Sequence, residues 1–173
     1  PPYHATMKPI PQTDGDICDA CQALYEEVGD MARDDNLFDK VRRSDRALLC
    51  KARDVESEAH YFVTVGDDHD QVYVGLQTPD RWLSESIEAD LMFQGEKIEE
   101  LLEEELVDQG FDQQLPIEHF RYDQKLYIFR SPVSLPANVK LESDEMAERV
   151  MRVLRAYQAC FSELGDMSED SEL

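Results

Sequence analysis

No stretch of this chain approaches the roughly eighteen consecutive apolar residues that span a bilayer, and no basic flank leads an apolar run near its beginning. The expectation is a protein neither inserted in a membrane nor secreted, acting in the cytoplasm. Met7 would serve as a natural start, so Pro1 to Thr6 stand outside the fold reasoning. Basic residues are scarce: seventeen against thirty-nine acidic ones leave a formal net charge of −22. Phosphate backbones and anionic membrane surfaces would be repelled, so neither nucleic acid nor membrane is an expected partner. A surface kept acidic for solubility in a salty or crowded habitat explains the same imbalance.

Catalytic signatures are missing as well. There is no Gly-x-x-x-x-Gly-Lys phosphate loop, no Gly-x-Gly-x-x-Gly, no His-Glu-x-x-His and no Gly-x-Ser-x-Gly. A site assembled from distant residues would leave no local signature, so an enzyme with a dispersed site stays open as an alternative. Of four cysteines, only Cys18 and Cys21 are close in sequence. A Cys-x-x-Cys pair can be a redox centre at a strand-to-helix turn or half of a zinc site, but no second ligand pair is visible. Both fall on the stripe of Leu24, Tyr25, Val28 and Met31, which reads as core thiols, with no cofactor and no metal expected.

What is present is period. Positions 17, 18, 21, 24, 25, 28 and 31 follow three-four spacing and predict a first helix over Ile17 to Ala32. Before it, residues 1–13 carry four prolines and predict an irregular lead; a single domain is expected over 14–165. A short piece, Leu37 to Val41, reads as one further helical turn. The runs Leu48–Ala52, Tyr61–Val65 and Val72–Leu76 alternate and predict three strands. The connection from Gly66 to Asp70 makes the last two a hairpin, and short links make all three an antiparallel meander. His69, among Asp67, Asp68 and Asp70, reads as part of a solvated turn rather than a cation site.

Thr78-Pro79-Asp80 predicts a capped helix start. Leu83, Ile87, Leu91, Ile98, Leu102 and Leu106 then carry one apolar stripe to Gly110, predicting a single long helix with Gly95 on its stripe. At about 1.5 Å per residue, a helix of roughly thirty residues would overhang a five-residue strand. Trp82, Leu83, Ile87, Leu91, Ile98, Leu102 and Leu106 are therefore the candidate protein-binding residues, for a client segment or for a second copy in a homodimer. Phe120 and Tyr122, then Tyr127 and Phe129, predict a second hairpin around Asp123-Gln124. His60 and His119, both on predicted strands, could meet across the sheet. Lys40, Arg42, Arg43 and Arg46 form a basic island that reads as neutralising acidic neighbours. Ser143 opens a last helix through Met146, Val150, Val153, Tyr157, Phe161 and Leu164 to Gly165, and Asp166 to Leu173 reads as an acidic disordered tail.

The expected fold is α+β, an antiparallel sheet of about five strands with helices on one face, in the order α-β-β-β-α-β-β-α. With the run Ile87-Glu88-Ala89-Asp90-Leu91-Met92-Phe93-Gln94-Gly95, this order resembles the type III secretion chaperone-like fold shared by class I secretion chaperones and the YbjN family. In those chaperones a strand soon follows the glycine, whereas Glu96 to Val107 here is strongly helical, which favours the YbjN-like or an undescribed branch over a true secretion chaperone. The resemblance implies a homodimer or monomer that binds protein segments and performs no chemistry. The leading expectation is thus a non-enzymatic protein-binding module, chaperone-like or regulatory. The alternative from another class is an acidic inhibitor or immunity-type protein blocking a cationic site on a nucleic-acid-handling partner.

Overall fold

In the computed structural model, residues 18–123 and 125–168 are described. The expected irregular lead, the first residue of the expected first helix (Ile17), Gln124 and most of the expected acidic tail (169–173) lie outside them.

The first helix, α1 (Asp19–Asp35), buries Cys21, Leu24, Tyr25, Val28 and Ala32 on the face the three-four spacing selects. It ends where Asn36 takes the left-handed conformation, φ 55°. The chain then forms β1 (Lys40–Arg43), not the helical turn expected around Leu37 to Val41. Only Val41 of this strand is apolar, and β1 occupies a sheet edge, where charged side chains discourage further pairing. The meander follows as β2 (Leu48–Lys51), β3 (His60–Val65) and β4 (Gln71–Thr78). After two helices come β5 (Glu118–Tyr122) and β6 (Leu126–Ser134).

Among the described residues all strand pairs are antiparallel, and six strands run in the order β1-β2-β3-β4-β6-β5. Register fixes the faces, because side chains alternate. Val63 stands opposite Val74, and Tyr61 opposite Leu76, on the core face. The last helix, α4 (Asp144–Phe161), is capped by Ser143, whose hydroxyl accepts from Met146 N. It packs beside α1 and across β3 and β4 on that face. Ser131 and Tyr157 share the buried hydrogen bond between β6 and α4, 2.6 Å long, so the polar atoms there are satisfied. The expected tail starts as structure: Gly165–Met167 form a 3-10 turn against the helix after β4, with Met167 buried.

The expected long helix is two helices. α2 (Arg81–Gln94) stops at Gly95, φ 68°, and α3 (Ile98–Asp108) starts three residues later. Glu96 N donates to Leu91 O and Gly95 N to Met92 O, the paired bonds of a glycine-terminated helix end. A Cβ at Gly95 would meet nothing within 4 Å, so close approach by another backbone is not its reason. The left-handed turn is. Gly95→Ala is accordingly expected to cost about 1 kcal/mol, and Gly95→Asn less, in urea unfolding; equal stability of the alanine variant would refute the turn as the cause. Nor does Thr78 cap α2. It ends β4, donating to Glu58 O at 2.6 Å, while Asp80 accepts from Trp82 N at 2.9 Å as the cap. The observed order is α-β-β-β-β-α-α-β-β-α, an α+β fold with one strand and one helix more than the sequence reading.

Candidate protein-binding surface

The seven candidate residues separate by burial. Leu83, Ile87, Leu102 and Leu106 are fully buried in this chain's own core. Leu91 and Ile98 are half-buried against it. Trp82 stands in solvent at 74% exposure. With the helix broken at Gly95, the overhang expected from a thirty-residue rod disappears: α3 folds back onto α4 instead. The stripe is a core stripe, and a surface must be sought off it.

The structure supplies one. Met92 and Phe93, neither on the stripe, are 83% and 92% exposed. Phe93 follows Trp82 by eleven positions, which at about 3.6 residues per turn brings it back to within about 20° of the same azimuth. Exposed Ala89 falls between them. The outer face of α2 thus carries an apolar line ending where the helix ends. Single exposed apolar residues are ordinary, but large ones aligned on a helix opposite its buried face call for a covering group.

The line is rimmed by acids. Glu88 and Glu96 are exposed, and Glu85 and Asp90 are half-buried. Some are engaged: Glu85 pairs with Arg81 at 3.0 Å, Asp90 accepts from Gly165 N at 2.8 Å, and Glu88 meets His119 Nε2. The hydrogen bond from Ser57 to Asp80 holds that cap's carboxyl below the usual carboxylate range. Along α3, burial together with Asp108, Glu163 and Glu104 raises the Glu105 carboxyl, as expected where carboxylates crowd.

Other candidates resolve plainly. His119 stacks on Phe129 on the core side, with Nδ1 on Ile128 O at 2.9 Å. His60 belongs to the other face by register, with β4 and β6 between its strand and that of His119, so the two histidines do not meet. In the basic island, Arg43 reaches Glu26 and Gln22 O of α1, the neutralising role expected of it. Two depressions, of about 450 and 670 Å³, are lined by Tyr25, Glu26, Asp30, Arg33 and Arg43, and by α3 acids with Lys97, Gln114, Leu115 and Pro116. Neither is lined by a histidine, serine, threonine or cysteine. Among the described residues, no helix is long and apolar enough to cross a membrane.

One juxtaposition was not readable in sequence. His69, at the tip of the β3–β4 hairpin, lies beside Cys18 and Cys21 at the start of α1. Burial, and then the neighbouring Cys18, push the Cys21 thiol up to about 12.

Comparison of the chain with protein-family models, with curated proteins and with solved structures returns no match.

Proposed function

We propose that this chain is a non-enzymatic protein-binding module whose α2 outer face takes a cationic amphipathic segment of a partner protein. The observation that carries the proposal is the alignment of Trp82 and Phe93, with Met92 beside them, in solvent on one side of a short helix. The acidic rim selects the occupant. A second copy would bring the same carboxylates to a chain already at −22, whereas lysines and arginines flanking an apolar face would complement them. This reading agrees with what the resemblance to secretion chaperones and YbjN-like proteins implies, a binder of protein segments.

The chain's one tryptophan is Trp82, so its emission reports the surface directly. Titration with a synthetic Leu/Lys amphipathic peptide is expected to shift that emission to the blue and saturate, and a Leu/Glu counterpart to do neither. Replacing Phe93 by serine should weaken the Leu/Lys peptide by about 2 kcal/mol, roughly thirtyfold, with helix content unchanged because the side chain supports no core contact. Added salt should weaken it further by screening the rim. Equal affinity for both peptides, or no loss with Phe93→Ser, refutes the proposal. A wild-type dimer that Phe93→Ser dissociates would assign the face to a second copy.

A further inference from the structure

Cys18 occupies the cap position of α1, where its Sγ accepts from Cys21 N at 3.2 Å. Cys21 follows one turn in, so the Cys-x-x-Cys spacing puts both sulfurs on the same side of the helix start. The other component comes from the far end of a hairpin. Gly66 N donates to Gln71 O at 2.8 Å and His69 N to Gly66 O at 3.0 Å, closing a tight loop that holds His69 in the left-handed region, φ 58°.

The loop is fastened to α1 through its base. Tyr25, one turn beyond Cys21, accepts from Val65 N at 2.9 Å and donates to Arg46 O at 2.9 Å. Thr64 donates to the same Arg46 carbonyl at 2.7 Å, and Gln22 Nε2 to Asp45 O at 3.0 Å. These bonds tie α1, the β1–β2 turn and the end of β3 into one unit. The hairpin tip is thereby held over the start of α1. A ring nitrogen of His69 and the Sγ atoms of Cys18 and Cys21 lie within 4.8 Å of one another.

From this geometry we infer a zinc site in which Cys18, Cys21 and His69 supply three ligands and water the fourth. Two thiolates and an imidazole suit Zn²⁺, whereas magnesium and calcium prefer oxygen ligands. With Zn–S near about 2.3 Å and Zn–N near about 2.0 Å, tetrahedral ligand atoms stand roughly 3.5–3.8 Å apart. The present separations close to that by rotation of side chains, of which His69 is exposed and Cys18 half-buried. Asp67, Asp68 and Asp70, all exposed on the same loop, add the negative potential that draws a cation to this end of the molecule. Packing against the core and capping of α1 account for the burial of both thiols, and the exposed imidazole beside them is what adds a third ligand. The site is independent of the α2 surface, and its consequence is structural: the ion would clamp the β3–β4 hairpin to α1.

The reduced chain, stripped by a chelator, is titrated with Co²⁺ and then with Zn²⁺. Expected are one ion per chain, the thiolate-to-cobalt charge-transfer band with tetrahedral d–d absorption, displacement by zinc, and a higher Tm when loaded. Because asparagine tolerates the left-handed backbone, His69→Asn removes the imidazole from an exposed position without straining the turn. It should weaken binding by more than about tenfold, the least that losing even a supporting partner costs at many metal sites, with an unchanged far-UV spectrum. Cys18→Ser should abolish the charge-transfer band. No such band in the wild type, a Cys18–Cys21 disulfide whose reduced form takes up no ion, or equal affinity in His69→Asn would each overturn the inference.

Discussion

Replacing Leu102 by aspartate is expected to unfold this protein at every concentration, not to dissociate a complex. Leu102 is fully buried where α3 packs on α4, within the cluster that includes Leu106, Val153 and Tyr157. Truncation to alanine alone would cost about 2–5 kcal/mol through lost burial and the cavity left behind. Aspartate adds an ionised carboxylate inside an apolar cluster, a further cost of several kcal/mol. The sum approaches the whole stability of an ordinary domain, about 5–15 kcal/mol. Circular dichroism at pH 7 and urea titration check this, with Leu102→Ala as the milder companion. An aspartate variant that kept wild-type stability and changed only its association would place Leu102 at an interface and remove α3 from the core.

The reason the sequence pointed elsewhere is instructive about helix stripes. Leu83, Ile87, Leu91, Ile98, Leu102 and Leu106 advance by four and seven residues, so the pattern keeps its phase across Gly95 although the backbone does not. A glycine within a helix costs only about 1 kcal/mol, too little to mark a break. What breaks it is the left-handed turn, which any glycine permits and none announces. Once α3 folds back, the stripe that looked too long for one sheet is consumed by two helices. The large apolar residues left uncovered, Trp82, Met92, Phe93 and Val107, are off the stripe, and apolar side chains out of phase were the available signal.

The sheet was legible where both faces or one face are apolar: β2, β3 and β4 lie where alternation put them, as do β5 and β6. β1 was not, because an edge strand reading Lys-Val-Arg-Arg is selected for pairing on one side and charge on the other, and carries no apolar period. Ser143 and its acidic first turn announced α4 correctly. The grouping of His69 with Cys18 and Cys21 had no local trace. It depends on the tyrosine that fastens a hairpin to a helix some forty residues earlier, a contact that exists only after folding.

Gly75→Ala is expected to be the most damaging change of a single methyl in the sheet. Gly75 lies on β4, between Phe62 of β3 and Arg130 of β6, and both neighbouring strands are bonded to it. A Cβ there would collide with Phe129 O and come within 2.8 Å of Phe62 Cζ and 2.9 Å of Arg130 Cα. Two of those three atoms are backbone in a strand flanked on both sides, which cannot retreat without breaking ladder bonds. The third belongs to a buried ring that lies across the glycine, filling the face opposite Val63 and Val74. Alanine in a strand would ordinarily gain about 0.5–1 kcal/mol over glycine, so the sign is a sharp test. Overpacking costs about 1–3 kcal/mol, and with backbone on two sides the upper end is expected, seen as a lower urea midpoint at unchanged slope. Shrinking the ring in the pair Gly75→Ala with Phe62→Leu should recover only part of the loss, since the carbonyl of Phe129 and the Arg130 backbone remain. A neutral or stabilised Gly75→Ala variant would mean that β4 and β6 do not approach as closely as this register requires.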